Sequence, residues 1–161
     1  MTARAYQVIA QAQEAGATLV TAESCTGGLI AGSLTEVPGS SAVLERGFVT
    51  YSNDAKAEML GVAADLIAAH GAVSEPVARA MADGALARSH ATIAVSVTGV
   101  AGPGGSAAKP EGMVCFALAT SDRAVRSETV QFGPLGRSAV RAASVDHALQ
   151  MVLAALSEPR D

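Results

Sequence analysis

Apolar positions recur along the chain in two alternating rhythms. Over residues 4–15, Ala5, Val8, Ile9 and Ala12 fall at helical spacing, and Gly16 ends the pattern. Residues 17–21 read as a short buried strand, and a second helical stretch covers about 28–35. Residues 48–51 suit another strand. Ser52 or Asn53 can cap the helix that follows, which carries Lys56, Met59 and Leu60 and stops at Gly61. A short helix near 65–70 ends at Gly71. Ser74-Glu75-Pro76 then opens a longer one that runs to about Ser89, with serine at the cap and proline in the first turn.

The second half is richer in strands. Residues 92–98 read as a buried strand and 113–120 as a further strand, and 125–132 alternate as an edge strand does. Residues 99–112 hold five glycines and two prolines and read as a loop. From Gly136 onward, Val140, Val145, Leu149, Val152 and Leu156 mark a long amphipathic helix. Helices and strands mingle throughout. The expected fold is α/β: a three-layer α/β/α sandwich with a mixed sheet, in one domain over residues 1–161.

Composition narrows the functional classes. Half of the 161 residues are apolar, aromatics are only 3%, and the net charge is −4. A nucleic-acid binder ordinarily carries a basic stripe and stacking aromatics, so no nucleic-acid partner is expected. The apolar runs fall short of the roughly 18–20 residues a membrane span needs, and the amino-terminal stretch lacks an apolar leader. A soluble cytoplasmic protein follows as the expectation. Cys25 and Cys115 form no disulfide framework. His70, His90 and His147 are scattered without ligand spacing, so neither a metal nor a cofactor is expected.

Four polar, glycine-rich segments stand out as candidate chemistry. Thr21-Ala-Glu-Ser-Cys-Thr-Gly-Gly28 joins a strand to a helix, where a helix N-terminus favours an anion; an ordinary turn with a hydroxyl cap is the plain alternative. Cys25 could act there as a thiol nucleophile. In Pro38-Gly-Ser-Ser41, two serines follow a turn and need a base to become reactive. Tyr51-Ser-Asn-Asp-Ala-Lys56 supplies a candidate base. Lys56 falls in the first turn of its helix, where the dipole disfavours a cation, and partial burial would push the same way. A neutral amine can deprotonate a serine hydroxyl. Thr98-Gly-Val-Ala-Gly-Pro-Gly-Gly-Ser106 leaves a buried strand, and its backbone N–H groups could cradle phosphate or an oxyanion. Arg137 could pair with phosphate or carboxylate.

Together these segments resemble the C-terminal domain of the CinA (competence/damage-inducible) proteins. The matching residues are Thr21–Gly28, Pro38–Ser41, Gly47–Lys56, Gly71–Ser74 and Thr98–Gly105 with Lys109-Pro110, and the resemblance covers roughly residues 5–155. It implies an amidohydrolase that converts nicotinamide mononucleotide to nicotinic acid mononucleotide and ammonia in pyridine nucleotide salvage, by a Ser/Lys mechanism. Carried over by position, the nucleophile falls on Ser41, with Ser40 beside it as the alternative, and the base on Lys56, with Tyr51 in support. The expected substrate-binding set is Ser24, Cys25, Thr26, Gly27, Thr98, Gly99, Gly102 and Arg137. Phosphate is expected at Cys25–Gly28 or Gly102–Ser106. The expected partner is a small nucleotide substrate, within a homo-oligomer of two or more chains. The rival reading is a module that binds a nucleotide without hydrolysing it.

Overall fold

The computed structural model describes residues 2–159. Its elements run α1 (Thr2–Ala15), β1 (Leu19–Glu23), α2 (Leu29–Thr35), a single 3-10 turn (Ser40–Ala42), β2 (Leu44–Val49), α3 (Asn53–Leu60), α4 (Ala64–His70), α5 (Glu75–Ala87), β3 (Ile93–Gly99), β4 (Met113–Thr120), β5 (Arg123–Gln131) and α6 (Arg137–Ser157). One five-stranded sheet has the order β2-β1-β3-β4-β5. β1 runs parallel to β2 and β3, whereas β4 and β5 complete the sheet antiparallel.

The central strands are the buried ones. Every residue of β1 is buried, as is almost all of β3 and β4. Edge strands β2 and β5 alternate or lie largely exposed. Each face of the sheet has its own core. On one face Val8, Ile30, Leu34, Phe116 and Leu149 join α1, α2 and α6 to the strands. On the other, Val20, Leu60, Ile67, Val77, Met81 and Ala94 join α3, α4 and α5 to the strands. The expected three-layer sandwich with a mixed sheet is the fold observed.

The strand expected at 48–51 lies earlier, over Leu44–Val49. Glu45 and Arg46 hid its start. On an edge strand they need not be buried: Arg46 bonds the Glu45 carboxylate and the Arg88 carbonyl. Tyr51 is therefore beyond the strand and 60% exposed.

The connections set where chemistry can occur. From the carboxyl end of β1 the chain passes to α2 on one face; from that of β2 it passes to α3 on the other. Neighbouring strands whose exits diverge in this way open a crevice at their carboxyl ends, the usual ligand position in α/β sheets.

Candidate active site

Two helix starts converge on that crevice. α3 begins as the sequence suggests: the Ser52 hydroxyl accepts from the Ala55 N–H at 3.0 Å, and Gly61 closes the helix in a left-handed conformation (φ 69°). Lys56 then sits at the end of the first turn with its side chain directed inward, only 1% exposed. Its Nζ lies 2.9 Å from the Ser24 Oγ, 2.9 Å from the Thr50 carbonyl oxygen and 3.4 Å from that of Tyr51. Ser24 is itself 8% exposed, and its backbone N–H donates to the Val97 carbonyl.

Three oxygens surround the amine, and Nζ donates to each. When deprotonated it keeps two N–H bonds for the carbonyls and turns its lone pair to the Ser24 hydroxyl. Burial holds the Lys56 amine below the ordinary lysine range, and the Cys25 sulfur opposes this more weakly. Among the described residues no carboxylate forms an ion pair with it.

The expected pairing of Ser41 with Lys56 is not the one the fold makes. Ser41 is exposed in the 3-10 turn that leads into β2, whereas Lys56 follows the far end of the same strand. Six residues of strand, at roughly 3.3 Å each, separate the two ends. Ser40 shares that turn and that end of the sheet. The serine brought to the lysine is Ser24, from the segment expected to bind substrate.

The Ser24 loop is held from both sides by residues the sequence analysis did not single out. Glu23, fully buried at the end of β1, accepts from the Thr26 hydroxyl at 2.7 Å and from the Ile30 and Ala31 N–H groups at 2.9 and 3.0 Å. Arg141 of α6 donates to the Cys25 and Thr26 carbonyls at 3.1 and 3.4 Å. Gly28, at φ 102°, turns the chain into α2 in a left-handed conformation that a residue with a side chain rarely adopts. The signals were present: an acid ending an otherwise apolar strand must find partners, and Arg141 stands one helical turn past Arg137.

Glu23 also changes what the α2 N-terminus can bind. Its carboxylate takes up the Ile30 and Ala31 N–H groups in the first turn of α2, directly after the Cys25–Gly28 segment expected to receive phosphate, and places a negative charge there. Gly27 is exposed at the loop tip, its N–H bonded to the Ser24 carbonyl.

The remaining expected residues line one open cleft with Ser24 and Lys56: Cys25, Tyr51, Thr98, Gly99 and Arg137, joined by Asn53, Ala72 and Val73. Thr26 instead faces Glu23, away from the cleft. Thr98 donates to the Ala72 carbonyl at 2.8 Å and fixes the cleft wall. Arg137 bridges the mouth, donating to the Tyr51 hydroxyl at 2.8 Å and to the Gly102 carbonyl at 2.7 Å. Gly102 therefore meets the site through its carbonyl. Lys109 reaches the His70 and Val73 carbonyls and ties the glycine-rich loop to the same wall. Burial pushes the Cys25 thiol up to about 11, so it stays protonated and weakly nucleophilic at neutral pH.

Comparison with known proteins gives one consistent group. The CinA C-terminal domain model matches residues 1–156. The chain is 53% identical over 139 residues to the nicotinamide-nucleotide amidohydrolase PncC of Shigella flexneri, covering 84% of this chain and 82% of that one. It is 56% identical over 144 residues to a CinA-like protein of Mycolicibacterium gilvum, covering 89% of this chain. There the chain spans about a third (34%) of the relative's length. Among solved structures, the competence/damage inducible protein CihA from Agrobacterium tumefaciens superposes with a TM-score of 0.94 at 51% identity, covering 98% of this chain and 95% of that one.

Proposed function

The chain belongs to the CinA C-terminal domain family, and on that premise we propose that it hydrolyses the carboxamide of nicotinamide mononucleotide, with Ser24 as nucleophile and Lys56 as general base. The observation that carries this reading is the 2.9 Å contact between the Lys56 amine and the Ser24 hydroxyl at the floor of the cleft. The similarity to PncC supplies the substrate.

Neutral Lys56 takes the proton of Ser24 as Oγ attacks the carboxamide carbon, and the carbonyl oxygen becomes an oxyanion. The resulting ammonium of Lys56 returns that proton to the departing nitrogen. The C–N bond breaks, ammonia leaves, and an ester to Ser24 remains. Water then attacks the ester, Lys56 takes one of its protons and passes it to the Ser24 oxygen as the C–O bond breaks, and the nicotinic acid nucleotide departs as its carboxylate, its remaining acid proton passing to solvent. The Thr50 and Tyr51 carbonyls keep the amine oriented through both halves of the cycle.

Arg137 is the guanidinium lining the cleft, and the nucleotide phosphate is assigned to it rather than to the α2 N-terminus, where the Glu23 carboxylate already takes up the Ile30 and Ala31 N–H groups. Tyr51, held by Arg137, flanks the substrate at the mouth. The test is to incubate the full chain with nicotinamide mononucleotide and measure ammonia. Stoichiometric release of ammonia and nicotinic acid mononucleotide supports the amidohydrolase. Saturable binding without release would replace it with a nucleotide-binding module.

A further inference from the structure

An oxyanion forming at Ser24 needs hydrogen-bond donors, and the strand register singles one out. β1 ends at Glu23, which pairs with Val97, whereas β3 continues two residues further to Gly99. Peptide groups along a strand point alternately to its two neighbours. The Val97 carbonyl faces β1, where it accepts from the Ser24 N–H at 3.0 Å. Val100 faces β4, donating to the Met113 carbonyl at 2.9 Å. Gly99 lies two residues beyond Val97, so its N–H points to the β1 side as well.

There is no strand left on that side. A continued ladder would offer the Ser24 carbonyl, but the chain turns away and that carbonyl accepts from the Gly27 N–H at 3.0 Å. Gly99 is half-buried and lines the same cleft as Ser24 and Lys56. Its other face is closed, because a Cβ there would meet the Val114 Cγ2 at 2.7 Å. The position combines a bare backbone donor with a residue that cannot carry a side chain.

We propose that the main-chain N–H of Gly99 is an oxyanion donor of this site. The proposal rests on the amidohydrolase reading above. In the tetrahedral intermediate the carboxamide oxygen carries the negative charge, and Gly99 donates to it without transferring its proton. The donor is held through the pairing of its strand with β4 and does not reorganise during the reaction, the condition under which such donors are most effective.

A boronic acid separates the donor from the nucleophile. Pyridine-3-boronic acid added to the ¹⁵N-labelled full chain should form a four-coordinate adduct with Ser24, read by ¹¹B resonance and absent in Ser24→Ala. One boron hydroxyl then stands where the oxyanion would. The Gly99 amide proton should move downfield, by more than any other glycine amide of the 99–112 loop, and stay in place in Ser24→Ala. An adduct without that shift overturns the Gly99 assignment alone. Failure to form the adduct removes nucleophile and donor together. Replacing the Thr98–Gly99 amide by an ester should lower kcat about 10²–10³-fold with little change in KM; an unchanged kcat in a variant that melts normally would also overturn the proposal.

Discussion

Glu23 and Lys56 are both buried at the carboxyl ends of adjacent strands and do not pair with each other. The carboxylate turns to the start of α2, where two backbone N–H groups and a threonine hydroxyl take up its oxygens. The amine turns to Ser24 and two carbonyls. An ion pair between them would hold the lysine charged. Their separation leaves it to the effect of burial, which favours the neutral base.

A pH dependence follows with a definite sign. Burial lowers the Lys56 pKa, so the neutral fraction grows as pH rises through that lowered value and is small below it. The first-order rate at low substrate should climb with pH on a one-proton limb and level off below the ordinary lysine range. Lys56→Arg keeps a permanent cation in place of the base. It should lose about 10²–10⁴ in kcat, with the limb abolished.

Glu23 should matter for stability before it matters for chemistry. In Glu23→Gln one acceptor oxygen becomes a donor facing backbone N–H groups. Losing a charge-assisted, buried hydrogen bond costs about 3 kcal/mol. For a chain of this size that lowers the melting temperature by roughly 6–12 °C, measurable by calorimetry. An unchanged melting temperature would mean the carboxylate does not hold the loop.

Arg137 should distinguish substrates by their phosphate. Arg137→Ala removes a charge-assisted contact worth about 1.5–3 kcal/mol, so KM for nicotinamide mononucleotide should rise about 10–100-fold. KM for nicotinamide riboside, which lacks the phosphate, should barely move. Equal rises for both compounds would assign Arg137 to holding Tyr51 and Gly102 rather than to the phosphate.

Cys25 is expected to be a bystander in the chemistry. Its thiol is held protonated by burial. Cys25→Ser should keep ammonia release near the parent level, and iodoacetamide at neutral pH should leave the enzyme active. Rapid inactivation by the reagent, prevented by substrate, would point to a thiol mechanism.

Much of the fold was legible because it is written locally. The apolar runs that become β3 and β4, the Ser52 cap with its Gly61 stop, and the Ser74-Glu75-Pro76 start each carry their own signal within a few residues. The start of β2 was not legible, because an edge strand tolerates Glu45 and Arg46 that a central strand would reject. In the site, Lys56 could be read from its place at a helix start. Its partner could not, since Ser24 and Lys56 are 32 residues apart and meet only because β1 and β2 lie side by side with their exits on opposite faces. Ser41 was the expected nucleophile and Ser24 an expected substrate-binding residue; strand direction, which one dimension does not show, leaves Ser41 a length of β2 away from Lys56 and brings Ser24 to it.

The most direct measurement compares Ser24→Ala with Ser41→Ala in ammonia release from nicotinamide mononucleotide, each variant first shown to melt as the parent does. The expected result is that Ser24→Ala loses turnover while Ser41→Ala keeps it, since Ser41 stands exposed at the far end of β2. Retained turnover in Ser24→Ala, or its loss in Ser41→Ala alone, would contradict the Ser24–Lys56 assignment.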